Sequence, residues 1–232
     1  MTASDLMANQ LGLVYKSIQR NDDDANKDDK RSPVIYCNFD RWNEIPGTKA
    51  GEVFWKDKYS TDVFRDSQVI QKCKDGRAKA FLVGWNSVQG ARPESQDFIQ
   101  LCPWWVEKSL SDNYRQLEQI PDKKIKQIPI GPPDNGQPWM DLIMAFEVTL
   151  MHEFSHSHDG AMTTDRGGYG WKNIIMTKDN PLAPPYSNAD NLAYFNLGVN
   201  LIMKKGQAVT IDGNLKQICT KENKSSSKCS TQ

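Results

Sequence analysis

Residues 139–156 read Trp-Met-Asp-Leu-Ile-Met-Ala-Phe-Glu-Val-Thr-Leu-Met-His-Glu-Phe-Ser-His. Trp139, Leu142, Ile143, Phe146 and Leu150 recur at a spacing that suits a buried helix, and the helix ends in the pattern His-Glu-x-x-His. On a helix, His152 and His156 stand one turn apart on one face, with Cβ atoms about 5–6 Å apart, so both imidazoles can converge on one ion. Glu153 is turned by about 100° and still lines that side, within reach of a water without being a ligand. Zinc held by neutral imidazoles with one position open lowers the pKa of bound water towards about 7, and a neighbouring carboxylate can take the proton. The chemistry implied is hydrolysis of a peptide bond.

A pentapeptide with three fixed positions arises by chance in many unrelated proteins. Here the chain has three histidines, His152, His156 and His158, and all fall together at the end of its strongest apolar helix. A structural zinc site is normally closed by four protein ligands, often cysteines, whereas a catalytic site uses three. No histidine follows His158, so an acidic residue must complete the set. His158 would point to the opposite helical face, as a surface or supporting histidine. Asp159 shares the face of His152 and His156 but lies further along the axis. Asp165 is better placed, because Gly160 can end the helix and let the chain fold back.

Residues 162–170 read Met-Thr-Thr-Asp-Arg-Gly-Gly-Tyr-Gly. Together with the histidine pattern this resembles the aspzincins, the deuterolysin and peptidyl-lysine metalloendopeptidase family, which pairs His-Glu-x-x-His with a downstream Gly-Thr-x-Asp-x-x-Tyr-Gly. The aspartate falls at the family's spacing from the second histidine. Met162 stands where the family has glycine, and one extra residue separates Asp165 from Tyr169. The resemblance implies that His152, His156 and Asp165 bind one zinc ion, that Glu153 is the general base and that Tyr169 stabilises the oxyanion. Gly167 and Gly168, free to adopt positive φ, offer a way to absorb the insertion. Phe98-Ile99-Gln100-Leu101-Cys102-Pro103, Tyr169-Gly170-Trp171, Asn188-Ala189-Asp190-Asn191 and Tyr194-Phe195 are similar to segments of fungal members, so the resemblance covers roughly residues 95–205. It implies an α+β, zincin-like metalloprotease with a small sheet, an active-site helix and a helix-rich C-terminal part.

Across all 232 residues, 29 basic and 29 acidic side chains cancel, so no broad field attracts nucleic acid or an anionic membrane. No apolar run approaches the roughly 20 residues that cross a bilayer, and Asp141 and Glu147 interrupt the apolar helix. The expectation is a single two-lobed domain over residues 1–232, monomeric, acting on protein or peptide substrates. The amino terminus, Met-Thr-Ala-Ser-Asp, has neither a basic segment nor an apolar core, so a signal peptide is not expected in this chain. Five cysteines, Cys37, Cys73, Cys102, Cys219 and Cys229, lack a Cys-x-x-Cys pair, which favours disulfides in a secreted enzyme over a metal ribbon. Cys219 and Cys229 can close a loop over the polar tail 219–232, which also carries the sequon Asn223-Lys224-Ser225. Two alternatives stand beside the endopeptidase. One is a catalytically weak or inactive secreted zinc-binding module for metal scavenging, adhesion or an effector role, against which the intact Glu153 speaks. The other is an intracellular protein whose histidines bind metal incidentally and whose cysteines are all thiols.

Leu6, Leu11, Val14 and Ile18, with Ser4 as a cap, predict a helix over residues 3–20, followed by an exposed charged loop over 21–32. Strands are predicted over Val34–Phe39, Lys79–Trp85 and Phe98–Cys102, and a helix over Asp62–Cys73. Residues 121–138 read as an irregular proline-rich connection. Over Asn188–Lys204, the face carrying Leu192, Phe195, Val199, Ile202 and Met203 is expected to pack into the core.

Overall fold

Phe98-Ile99-Gln100-Leu101 forms the middle strand of a three-stranded sheet, and its three consecutive buried residues show why a two-faced alternation is absent. In the computed structural model, residues 33–58, 63–64, 67–83, 97–112, 116–120, 139–143, 145–157, 161–176 and 184–218 are described, together with Asn9 and Gly12. The chain divides into two compact units, one built from Gln10–Asp112 and Glu153–Thr163, the other from Met1–Asn9, Asn113–His152 and Thr164–Gln232. The architecture is α+β with small sheets. The predicted helix over 3–20, the loop 21–32, the connection 121–138, the tail 219–232 with its cysteines and sequon, and His158, Asp159 and Gly160 lie outside the described residues.

In the first unit, β1 (Val34–Tyr36) pairs parallel to β6 (Phe98–Leu101), and β5 (Ala80–Val83) pairs antiparallel on the other side of β6. The strands predicted over 34–39, 79–85 and 98–102 are thus present in shorter form. Gln100 is fully buried in β6, and its amide is satisfied throughout. Its nitrogen donates to the carbonyls of Tyr36, Asn38 and Leu101 at 3.2, 2.9 and 2.9 Å, and its oxygen accepts from Trp42 Nε1 at 3.0 Å. A buried amide with all its partners costs little, whereas an unpaired one costs roughly 1–3 kcal/mol.

Trp42 opens a hairpin absent from the predicted strands: β2 (Trp42–Pro46) pairs antiparallel with β3 (Val53–Asp57), which pairs in turn with β4 (Val63–Phe64). Its turn is stabilised by the Glu52 carboxylate, which accepts from Thr48 N and Oγ1 at 3.0 Å and from Lys49 N at 3.1 Å. The helix expected over Asp62–Cys73 is corrected accordingly. Val63 and Phe64 join the ladder of β3, and the helix α1 starts only at Ser67 and runs to Lys74. α1 buries Ile70 and Cys73, and Cys73 is disulfide-bonded to Cys102, the residue between β6 and helix α2 (Pro103–Ser111).

The second unit is mainly helical. Short helix α3 (Trp139–Leu142) and helix α4 (Phe146–His156, of which Glu153–His156 count with the first unit) take the place of the long helix expected from the apolar spacing, with Ile143 and Ala145 in neither. Helix α5 (Trp171–Met176) precedes α6 (Ala189–Asn200), whose N-cap Asn188 accepts from Asn191 N at 3.0 Å. A hairpin of β7 (Gln207–Val209) and β8 (Leu215–Gln217) follows. Leu117, Ile120, Met140, Ile143, Ala145, Leu197 and Leu201 form the core of this unit.

The face of α6 that enters this core differs from the expected one. Leu192 is buried, but Val199, Ile202 and Met203 are 37%, 49% and 79% exposed, and the inward stripe is Ala189, Leu192, Ala193, Asn196 and Leu197. Both stripes have helical spacing. Ala189 and Ala193 lie on the buried stripe, and a π-helical turn over Leu201–Lys205 shifts the phase of the last residues. Among the described residues no helix is long and apolar enough to cross a membrane.

The disulfide limits the thiol count. Unfolded without reductant, the chain should expose no more than three of its five thiols to an aromatic disulfide reagent, and five would place the cysteines in a reducing setting. Replacing Cys73 and Cys102 together by serine should lower stability by about 2–4 kcal/mol in urea unfolding.

Candidate metal centre

α4 carries the first two expected ligands in its last two turns, with Met151 and Phe154 buried behind them. His152, His156 and Asp165 each offer one ligand atom, and these atoms lie within 4.8 Å of one another. His152 Nε2 is 3.3 Å from Asp165 Oδ1. Glu153 is next to His152 on the helix and is itself buried.

The other nitrogen of each imidazole is held. His152 Nδ1 lies 2.6 Å from Asp190 Oδ1, and His156 Nδ1 lies 2.9 Å from the carbonyl of Thr163. A carbonyl can only accept, and so can an ionised carboxylate, so each Nδ1 faces an acceptor, and His152 Nε2 faces a second carboxylate, that of Asp165. This is the arrangement by which metal-binding histidines are oriented and made more basic. Thr163 is in turn fixed by the pair Ser155 Oγ and Thr163 Oγ1 at 2.7 Å and by its own N–H, which donates to the Ser155 carbonyl at 3.0 Å. Two imidazoles and one carboxylate form a three-ligand set of the kind that leaves a position open on zinc. These residues therefore fit a divalent metal.

Asp165 and Tyr169 belong to one short loop. Thr164 forms an isolated parallel bridge with Asn188, and Asn188 Nδ2 donates to the Arg166 carbonyl at 3.0 Å, so the loop is tied to the start of α6. Gly167, Gly168 and Gly170 have φ of 103°, 91° and 84°, a region that β-carbons disfavour. Gly168 N donates to the Asp165 carbonyl at 3.0 Å, which closes a turn across the extra residue. The chain then returns Tyr169 to the site: its hydroxyl donates to Asp165 Oδ2 at 2.6 Å, and its ring stacks on His152 with centroids 5.8 Å apart. Tyr169 is 61% exposed.

The segment after Tyr169 is held by two carboxylates. Gly170 N donates to Asp190 Oδ2 at 2.7 Å and Trp171 N donates to Asp141 Oδ1 at 2.8 Å. Tyr194, one turn after Asp190 on α6, donates its hydroxyl to Asp141 Oδ1 at 2.6 Å. Burial and the Asp141 carboxylate push the Tyr194 phenol well above its ordinary value. Sequence reasoning assigned no role to Asp190, Asp141 or the Thr163 carbonyl. Asp190 stood within the Asn188–Asn191 segment quoted for the resemblance but without a role of its own, and no sequence signal marks a carbonyl. The chain matches no family model, no curated protein and no solved structure.

Two outcomes follow from the loop. Met162, at φ 49°, is the described non-glycine residue in the left-handed region, and Met162→Gly should stabilise the protein by about 0.5–1 kcal/mol in thermal or urea unfolding. Because the folded protein holds the Tyr194 proton more tightly than the unfolded chain does, its contribution to stability is intact below the unfolded phenol value near 10 and is lost as pH rises above it. Tyr194→Phe should therefore flatten the fall in stability between about pH 10 and 11.5, measured by urea unfolding across that range.

Proposed function

We propose that the protein is a zinc-dependent endopeptidase of the aspzincin type, with a zincin-like fold, in which His152, His156 and Asp165 hold one zinc ion. The observation that carries this reading is the convergence of one ligand atom each from His152, His156 and Asp165 within 4.8 Å of one another, with Nδ1 of both histidines held by an acceptor outside the set. When bound, zinc supplies Lewis-acid polarisation of the scissile carbonyl and acidifies a water.

Glu153 takes a proton from the attacking water as the oxygen bonds to the carbonyl carbon. It then delivers that proton to the amide nitrogen as the carbon–nitrogen bond breaks, so a carboxylic acid and an amine leave the site and Glu153 returns to its starting state. Tyr169 presents a phenol donor beside the ligands, and we assign it to the oxyanion. The disulfide between Cys73 and Cys102 supports an oxidising, extracellular setting, in which the enzyme acts as a monomer on protein or peptide substrates.

The test compares the zinc-loaded wild-type chain with Glu153→Gln on a denatured protein, with cleavage sites read by mass spectrometry. Glu153→Gln should keep stoichiometric zinc and lose about 10²–10⁴-fold in turnover. A zinc-loaded wild type that cleaves nothing would instead support the inactive zinc-binding module.

A further inference from the structure

The turn that follows α4 holds a large apolar side chain out to solvent on a strained backbone. Ala161 N and Thr163 N donate to the Ser155 carbonyl at 3.2 and 3.0 Å, and Met162 N donates to the Ser157 carbonyl at 3.4 Å. The Thr163 carbonyl meets His156 Nδ1 at 2.9 Å, and the Thr163 hydroxyl meets Ser155 Oγ at 2.7 Å. Met162 is thus fixed on both sides, with φ at 49°, where a β-carbon is disfavoured and glycine would sit without strain. Its side chain does not offset that strain by burial. Met162 is 56% exposed, whereas Met140 and Met151 are buried. Backbone strain of this kind gathers where a protein meets its ligands.

The turn also brings Met162 near the ligand set. Consecutive Cα atoms are about 3.8 Å apart and a carbonyl oxygen is about 2.4 Å from its own Cα, so Met162 Cα lies no more than about 9 Å from His156 Nδ1. An unbranched side chain with three rotatable bonds covers much of that distance.

Resting on the endopeptidase reading above, we propose that Met162 is a specificity-determining residue that gives the site an apolar contact for one of the two substrate side chains flanking the scissile bond. A thioether is polarisable and adapts to partners of irregular shape. The preferred class is therefore large aliphatic and aromatic side chains of varied form, not a single residue type. A charged side chain would give up water to the thioether and gain no partner from it, so charged residues are disfavoured at that position. Holding methionine here lowers stability in return for substrate binding, the trade that strained functional positions show.

The test uses the full zinc-loaded chain and the variants Met162→Gly, Met162→Gln and Met162→Leu. The substrates are peptides that differ only at the two positions flanking one bond, with cleavage followed by mass spectrometry. Wild type should cut beside Leu, Phe or Met about tenfold faster in kcat/KM than beside Ala at one of those positions. Met162→Gly relieves the backbone, and Met162→Gln keeps the length of the side chain but carries an amide. Both should lose most of that ratio while cleavage of the Ala peptide is retained, and Met162→Leu should keep the ratio. Binding gives a second readout that needs no turnover. In a Glu153→Gln background, adding Met162→Gly should weaken binding of the fluorescently labelled Leu peptide about tenfold, with zinc content unchanged.

A Met162→Gly protein as selective as wild type overturns the proposal. So does one that slows on every peptide by the same factor, because that marks a purely structural role. The wild-type profile is decisive without any variant: no preference for large apolar side chains at either position sinks the idea. A zinc-loaded wild type that cuts no peptide overturns the endopeptidase reading, and the proposal with it. That outcome is distinct from cleavage without the preference.

Discussion

An imidazole can offer only one lone pair while its other nitrogen carries the hydrogen, and the candidate centre depends on which nitrogen that is. Asp190 and the Thr163 carbonyl face Nδ1 of the two rings from outside the ligand set. Neither can donate, so each Nδ1 is held against an acceptor and the orientation of each ring is set by the fold. Much of the surrounding architecture serves to place these two acceptors. Ser155 holds Thr163 from the same helix that carries the histidines, and the Asn188 cap fixes the start of the helix that presents Asp190.

Burying carboxylates beside one another is unfavourable unless each finds donors. Asp190 and Asp141 meet this condition with backbone amides from successive residues, Gly170 and Trp171, and with one side-chain donor each, His152 and Tyr194. The pairing explains why the segment between Asp165 and α5 is rich in glycine. A backbone whose consecutive N–H groups must point at two different acids, within van der Waals distance of one of them, has no room for side chains at its tightest position. Tyr169 takes the one direction that remains and lies back over His152.

The ligand candidates were legible because their chemistry is written in residue type and helical spacing. His152 and His156 need only a period of 3.6, and Asp165 needed only a glycine-rich turn after the helix. Strands β1, β5 and β6 were legible for a similar reason, since their apolar and β-branched content is local. The β2–β3 hairpin was not, because Pro46 and Gly47 read as a stop at the end of its first strand and the charged Glu44 and Lys56 mask its alternation. The inward face of α6 was misread because two apolar stripes compete there, and the buried one carries the small Ala189 and Ala193 while the more hydrophobic Val199, Ile202 and Met203 are exposed. Asp190 lay in plain view, but its partner is 38 residues away, and no spacing rule reaches across that distance.

The pairing of β1 with β6 brings Tyr36 to Gln100 across 64 residues, whereas the β2–β3 hairpin closes over the short turn between Pro46 and Val53. Loop-closure entropy makes the longer closure costlier by about 2 kcal/mol, before any gain from burying the strand. The hairpin thus forms locally and early, with Trp42 at its base, and Gln100 can then find four partners only when β6 arrives in the correct register. A slip of one residue would turn the amide to the other face and bury Ile99 or Leu101 against those same polar groups. The buried glutamine therefore acts on the folding route as a register check, rejecting misaligned sheets that hydrophobicity alone would accept.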